Sequence, residues 1–313
     1  MGIYRLSDMK TIRFRISLLL FCVIPLGTAM EIHAQNVRHR ITAASPGELR
    51  TLFSLKPESR LFGEGTEGYL IDAHRGGARK GFPENCIETF EDLLKQMPAV
   101  FEIDPRLTKD GVVVLMHDET LNRTTNGTGR VRDYTYEELQ RLRLKDDEGT
   151  LTDFRIPTLK ETIEWAKGKT ILFIDKKDVP LEITMRMIRE LNAETACIVL
   201  VYNYDEAKRY HADNPNIMME AFITKTTDVE RFDKTGVPWE NVIPFVGMEE
   251  PDPEVYRLLR EKGRPCMMGT SRFIDHKVRE SGDISIFKGL VERGASIVET
   301  DLPLKARAAL SPW

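Results

Sequence analysis

Three short runs between residues 69 and 118 end in side chains that move protons or hold cations. They are Ile71-Asp72-Ala73-His74-Arg75-Gly76-Gly77, followed by Pro83-Glu84-Asn85; Val100-Phe101-Glu102-Ile103-Asp104; and Val112-Val113-Val114-Leu115-Met116-His117-Asp118. Glu102 and Asp104 stand two apart, so at a strand end they point the same way. Like charges that close need positive charge between them. The chemistry that fits is a hard divalent cation held through oxygen, Ca²⁺ or Mg²⁺; the plainer reading is two solvated acids flanking Arg106. Ile171-Leu172-Phe173-Ile174-Asp175-Lys176-Lys177 repeats the device. Asp175 adds a third carboxylate, and Lys177, on the same side, adds a fixed positive charge; taken singly, Lys177 is equally a solvated loop lysine. A metal with Lys177 and Arg75 beside it suits phosphate, where charge on the phosphoryl oxygens is what needs stabilising.

His74 and His117 are two of six histidines, each ending an apolar run. One such histidine is often a satisfied structural residue. Two at equivalent strand ends suit an acid–base pair, one deprotonating a nucleophile and the other protonating a leaving alkoxide. Zinc is disfavoured, because neither His-x-His nor H-E-x-x-H spacing occurs.

The elements that must position these residues alternate between strand and helix. Strands are expected at Tyr69–His74, Val100–Asp104, Val112–His117, Thr170–Asp175, Ala196–Val201, Ile217–Ile223, Val242–Val246, Pro265–Gly269 and Ser296–Asp301. The runs are continuously apolar rather than alternating, as in a parallel sheet covered on both faces. Leu181–Leu191, Pro253–Glu261 and Ile284–Arg293 carry helical apolar periodicity, with Gly263 and Gly294 just past two helix ends. Asn85-x-x-Glu88, Thr135-x-x-Glu138 and Thr158-x-x-Glu161 read as capping boxes. The pattern is that of an α/β barrel, which places its chemistry at the carboxyl ends of its strands and typically takes ~250 residues. Nine strands is one too many, and the weakest, Val242–Val246, interrupted by Pro244, is expected to be a loop segment or an irregular barrel strand. The long stretch from Asp118 to Lys169 is expected to be a small insertion above the barrel mouth, after the third strand.

Before the barrel, Lys10, Arg13 and Arg15 precede the apolar run from Ile16, and Ala34 offers a small residue before Gln35. Residues 1–34 are expected to be a signal peptide, with Met9 a plausible true start, giving an exported protein of the periplasm or the medium. The apolar run falls short of the ~18–20 residues of a membrane span, so no stable membrane insertion is expected. Cys22 follows bulky Phe21 and is not read as a lipoprotein cysteine. Residues 35–68 are polar and irregular, a surface arm or short helix (Pro46 to Phe53), and 69–313 form the barrel domain. The leader removed, Cys86, Cys197 and Cys266 remain: an odd number, without C-x-x-C spacing, best read as unpaired thiols. With 41% hydrophobic and 30% charged residues and a net charge of −4, nothing points to a nucleic-acid partner.

The quoted motifs together resemble the glycerophosphodiester phosphodiesterase family. To those above are added Thr89, Leu107-Thr108-Lys109-Asp110-Gly111, Leu121 to Gly129, Ile156-Pro157-Thr158-Leu159 and Thr300-Asp301-Leu302-Pro303, with Asp175-x-Lys177 where the family usually has Glu-x-Lys. The resemblance covers about residues 70 to 303. It implies a TIM (β/α)8 barrel and a metal-dependent hydrolase that cleaves deacylated phospholipids to glycerol 3-phosphate and an alcohol. Carried over, His74 and His117 become the acid–base pair, Glu102, Asp104 and Asp175 the metal ligands, and Arg75 and Lys177 the phosphate contacts. Two departures stand out. Asp175 is one methylene shorter than the usual Glu, and Cys266-Met267-Met268-Gly269-Thr270-Ser271-Arg272 replaces the family's Trp-Thr-Val-Asn run, leaving Tyr202, Phe222, Phe245 and Arg272 to recognise a different head group. The alternatives are a related barrel phospholipase, of the sphingomyelinase D or phosphoinositide type, acting on intact lipid, and a non-catalytic binding module. The first should carry an apolar mouth, whereas 118–169 is rich in Thr, Gly, Asp, Arg and Lys; the second should have lost a histidine or a metal carboxylate.

Overall fold

The computed structural model describes residues 40–311; the expected leader, 1–34, lies outside them. Ten short strands follow in chain order: β1 (Leu70–Ala73), β2 (Val100–Ile103), β3 (Pro105–Leu107), β4 (Val113–Leu115), β5 (Leu172–Ile174), β6 (Cys197–Val201), β7 (Met218–Phe222), β8 (Val242–Phe245), β9 (Cys266–Gly269) and β10 (Ala295–Thr300). Eight of them close a parallel barrel in the order β1-β10-β9-β8-β7-β6-β5-β2. The expected α/β barrel is therefore present, with helices between successive strands and an apolar layer joining the two.

The surplus strand is not the one the sequence suggested. Val242–Phe245 is a barrel strand, in register with β7 over four residue pairs, Ala221 opposite Pro244 among them. Phe245 C=O accepts from Ile223 N–H on the β7 side, whereas Val246 N–H donates to Met267 on the β9 side. Residues of the same parity share a side, so the N–H that Pro244 lacks falls at the β8–β9 seam. Only Phe245 and Met267 are in register there. Val112–His117 is the strand outside the barrel: β4 pairs antiparallel with β3, part of an excursion between β2 and β5. It reads as a barrel strand because it too is covered on both faces. Val113 and Leu115 join the main core, while Val114 packs in a separate cluster with Leu121, Val131 and Leu144.

Two of the expected capping boxes, at Thr135/Glu138 and Thr158/Glu161, are formed with both reciprocal hydrogen bonds. The third is not. The helix Ile87–Gln96 starts from Cys86 without a side-chain cap, and Asn85, held at φ +53°, is used elsewhere. Cys86, Cys197 and Cys266 are buried free thiols.

The barrel interior is sealed at the end opposite the chemistry. The helix Pro46–Leu52 begins at Ser45, whose hydroxyl accepts from Glu48 N–H. It buries Leu49, Leu52 and the adjoining Phe53 against strand residues Leu70, Val100, Phe173 and Ile297. Phe53 and Phe173 meet edge to face, with ring centroids 6.0 Å apart. Phe53 is fully buried, so Phe53→Ala is expected to cost about 3–5 kcal/mol. The check is a lowered midpoint of denaturant unfolding with the slope unchanged.

Candidate active site

At the opposite end, the strand ends converge on a cavity of about 410 Å³, a size suited to a small molecule. His74 leaves the end of β1 in a turn that the next residues make possible. Gly76 lies at φ +91°, and a Cβ there would sit 2.3 Å from Phe90 Cε1; Gly77 lies at φ +70°, with a Cβ 2.4 Å from Pro303 Cγ. Only glycine meets both demands. Arg75 is itself left-handed, at φ +53°, a conformation that persists where its surroundings over-determine it. Its N–H donates to Glu102 Oε2 at 3.0 Å and its carbonyl accepts from Asn85 N–H at 2.8 Å.

Glu102, Asp104 and Asp175 come together as a buried triad whose carboxylate oxygens lie within 4.8 Å of one another. Asn85 fixes Asp104 from both sides: its amide donates to Asp104 Oδ2 at 2.6 Å, and its carbonyl accepts from Asp104 N–H at 3.0 Å. Lys177 Nζ lies 3.0 Å from Asp104 Oδ1 and also pairs with Asp175, while Arg75 Nε stands 3.7 Å from Asp104 Oδ2. Burial alone would raise the Asp104 carboxyl, but Lys177, Arg75 and His117 outweigh it and hold it below its ordinary range. Glu102 is pushed well up by burial and by Asp104, Asp175 and Glu299. A hard donor set of three carboxylates, one kept ionised and one ready to ionise when positive charge arrives, fits a divalent cation.

The two histidines are brought to this triad from different parts of the fold, each with a carboxylate behind it. His74 Nδ1 lies 2.7 Å from Asp301 Oδ1, and its Nε2 faces the triad, 4.0 Å from Glu102 Oε2. Asp301 is positioned in turn by Asp275, whose Oδ2 accepts from Asp301 N–H at 2.7 Å and whose Oδ1 accepts from the Thr270 and Thr300 hydroxyls. Burial would lower His74, but the Asp301 hydrogen bond and the Glu299 charge prevail, and it is raised. His117 does not end a barrel strand. It follows β4, its carbonyl gripped by Arg106 Nε and Nη2 at 3.0 and 2.6 Å, and its Nδ1 lies 2.8 Å from Asp118 Oδ1. Partial burial, with Arg75 and Lys177 nearby, keeps His117 below its ordinary value.

Six of the seven residues named from sequence line this one cavity, and the seventh, Asp104, lies buried behind them, paired with Lys177. The sequence reading gave no role to Asn85, Asp118, Arg123, Asp301 or the buried acids Asp72, Glu220 and Glu299. Asn85 was hidden by its resemblance to a helix cap, and Asp301 was visible only as part of a quoted motif. Glu220 and Glu299, in apolar runs, offer no local signal.

Comparison with known proteins agrees with this geometry. The model of the glycerophosphoryl diester phosphodiesterase family matches residues 74–237, more than half of the chain. A crystal structure of a glycerophosphoryl diester phosphodiesterase from Parabacteroides distasonis is 42% identical with a TM-score of 0.80, over 87% of this chain and 93% of that one. The uncharacterized protein YqiK of Bacillus subtilis is 28% identical over 250 residues, covering 77% of this chain and 98% of its own. A glycerophosphodiester phosphodiesterase of Caldanaerobacter subterraneus is 38% identical over 143 residues, 43% of this chain and 58% of its own. The chain belongs to the glycerophosphoryl diester phosphodiesterase family.

Arg123 ties the excursion to the barrel mouth. It bridges Asp118 (Nε to Oδ2, 2.8 Å) and Glu84 (Nη1 to Oε2, 2.7 Å), and the Asp118 carboxyl is held far below its ordinary range chiefly by this hydrogen bond. A depressed carboxyl stabilises above its unfolded value and loses that contribution as pH falls. Arg123→Ala should therefore cost about 1 kcal/mol at neutral pH, since the arginine is half exposed. The gap from wild type should narrow on acidification as Asp118 takes up its proton, which urea unfolding across a pH series would show.

Proposed function

We propose that this member of the glycerophosphoryl diester phosphodiesterase family cleaves its diester by a metal-assisted, two-histidine acid–base reaction. The chain is a glycerophosphodiester phosphodiesterase, and its substrate class is a small, deacylated diester. The observation that carries the mechanism is the pair of histidine–carboxylate dyads, His74–Asp301 and His117–Asp118, flanking one carboxylate triad.

Glu102, Asp104 and Asp175 would hold a divalent cation, Ca²⁺ or Mg²⁺, which when bound withdraws charge from the phosphoryl oxygens. Arg75 and Lys177 carry their positive charges to the same place and orient the phosphate. In each dyad the carboxylate accepts from Nδ1, leaving Nε2 to exchange protons with substrate. His117, kept neutral, takes the proton of the attacking hydroxyl at Nε2. That hydroxyl is water or the glycerol's own neighbouring oxygen, the latter giving a cyclic phosphate that water then opens. The new oxygen–phosphorus bond forms as the bond to the alcohol breaks, and His74, kept protonated by Asp301, gives its Nε2 proton to the departing alkoxide. The products are glycerol 3-phosphate and the alcohol.

The cavity mouth carries Glu84, Arg123, Asp147 and Arg279, a charged rim suited to a deacylated substrate rather than to intact lipid. Among the described residues no helix is long and apolar enough to cross a membrane.

Chelated protein incubated with glycerophosphocholine should release glycerol 3-phosphate only once Ca²⁺ or Mg²⁺ is restored. His74→Ala and His117→Ala should each lower kcat by about 10²–10⁴-fold. Full activity in the chelated protein would sink the metal assignment, and wild-type rates in either alanine variant would sink the acid–base pair. Asp301 acts through His74 and has its own signature. An acid must be protonated, so the raised His74 sets the alkaline limb of the pH–kcat profile. Asp301→Asn should move that limb to lower pH; a uniform drop in rate with the limb unmoved would show a merely structural role.

A further inference from the structure

At the end of the barrel away from the chemistry, a second cavity of about 420 Å³ opens beside the sealing helix. Arg50 and Thr51 of that helix, with Ser54 and Lys56 just after it, form one side. Lys262 and Arg264, in the turn that leads into β9, form the other, and Glu240 lies beside Arg50. Leu55 N–H donates to Gly263 C=O at 3.0 Å and ties the two sides together.

Most polar groups around this cavity are already held. The Thr51 hydroxyl donates to Gly47 C=O at 3.1 Å, and the Ser54 hydroxyl to Thr51 C=O at 2.7 Å. Arg50 stands 3.5 Å from Glu240, and Lys262 pairs with Asp233 at 2.7 Å. Lys56 and Arg264 differ: among the described residues, neither forms an ion pair. Lys56 is exposed, whereas Arg264 is 3% exposed. Arg264 Nε donates to Val242 C=O at 2.8 Å, but Nη2 is buried without a partner. Burial outweighs the Glu240 charge and lowers this guanidinium to about 10, so it stays charged at neutral pH. A buried, unpaired arginine is costly, and an apolar side chain of similar volume would avoid that cost. The charge has its use once a counter-charge arrives from outside the chain.

Two positive charges without an acid opposite them thus line one polar cavity, and no aromatic ring lines it for a base to stack on. The matching ligand is a small oxyanion with two negative charges. A phosphomonoester carries nearly two at neutral pH, a phosphodiester only one. A guanidinium meets phosphoryl oxygens through paired N–H groups, and a lysine adds a mobile point charge. We propose that this cavity is a second ligand site, at the far end of the barrel from the reaction, which binds a phosphomonoester dianion or inorganic phosphate between Arg264 and Lys56. None of the exposed large apolar side chains, Leu151, Tyr202 and Phe273, lines it. It therefore offers a lipid no apolar contact, and the anion it fits is one free in solution.

The test is calorimetric titration of the full chain at about pH 8, where phosphomonoesters are dianions. The probes are inorganic phosphate, glycerol 3-phosphate and dimethyl phosphate, a monoanion, with sedimentation against phosphatidylcholine vesicles carrying phosphatidic acid. The wild type should bind the first two, and Lys56→Glu and Arg264→Gln should each weaken a set of that binding by about tenfold or more. Lys56→Glu should still cleave glycerophosphocholine at the wild-type kcat/KM, so that the binding it loses is not at the catalytic mouth. A Lys56→Glu titration identical to wild type overturns the proposal, as does a parallel loss of cleavage, which would put the affected phosphate at the mouth. Dimethyl phosphate bound at the Lys56-dependent site as tightly as inorganic phosphate would overturn the dianion. Lys56-dependent capture by the vesicles in preference to free glycerol 3-phosphate would overturn the soluble ligand in favour of a membrane. Lys56 is exposed, so its variant decides even if Arg264→Gln does not fold.

Discussion

Three carboxylates within 4.8 Å of one another repel at a range where little water screens them, and the architecture around the barrel mouth answers that repulsion. Lys177 and Arg75 bring positive charge to the triad, while Arg75 N–H and the Asn85 amide supply hydrogen bonds to its oxygens. The left-handed backbones of Arg75 and Asn85, unfavourable in themselves, are what aim those donors. Gly76 and Gly77 then let the chain pass Phe90 and Pro303 without collision. The turn after β1 is a strained connection because it must deliver both a histidine and two hydrogen-bonding groups to one carboxylate cluster.

The two histidines share a design but not an environment. Each has a carboxylate on Nδ1, which fixes ring orientation and leaves Nε2 for the chemistry. His74, beside Asp301 and Glu299, gains affinity for its proton despite its burial; His117 loses it, because partial burial together with Arg75 and Lys177 outweighs Asp104 and Asp118. One scaffold thereby separates an acid from a base by the balance that burial and the surrounding charges strike at each ring.

Much of this was legible in the sequence, for a physical reason. Parallel barrel strands are covered on both faces, so they read as apolar runs whose first polar residues mark the mouth; Glu102, Asp104, Asp175 and His74 were found that way. The same signal misled at Val112–His117, because β4 is covered on one face by the main core and on the other by a separate cluster outside the barrel. It misled again at Pro244, whose missing donor falls at a seam with little pairing to lose. Asn85 was misread because a side chain that caps a helix and one that caps a carboxylate look alike in one dimension. Glu220 and Glu299 meet only when β7 and β10 are curled into the same barrel, and no local pattern announces that.

That β4 lies outside the barrel bears on how the protein comes apart. His117 is carried by a unit with its own apolar cluster, around Val114, Met116, Leu121, Val131 and Leu144, hung between two neighbouring barrel strands. Such a unit is a candidate for sub-global opening, with a free energy below that of the whole molecule. Amide protons of the excursion would then exchange with solvent before those of the barrel strands. Warming would then abolish turnover while the barrel still stood, because half of the proton relay is carried on the excursion.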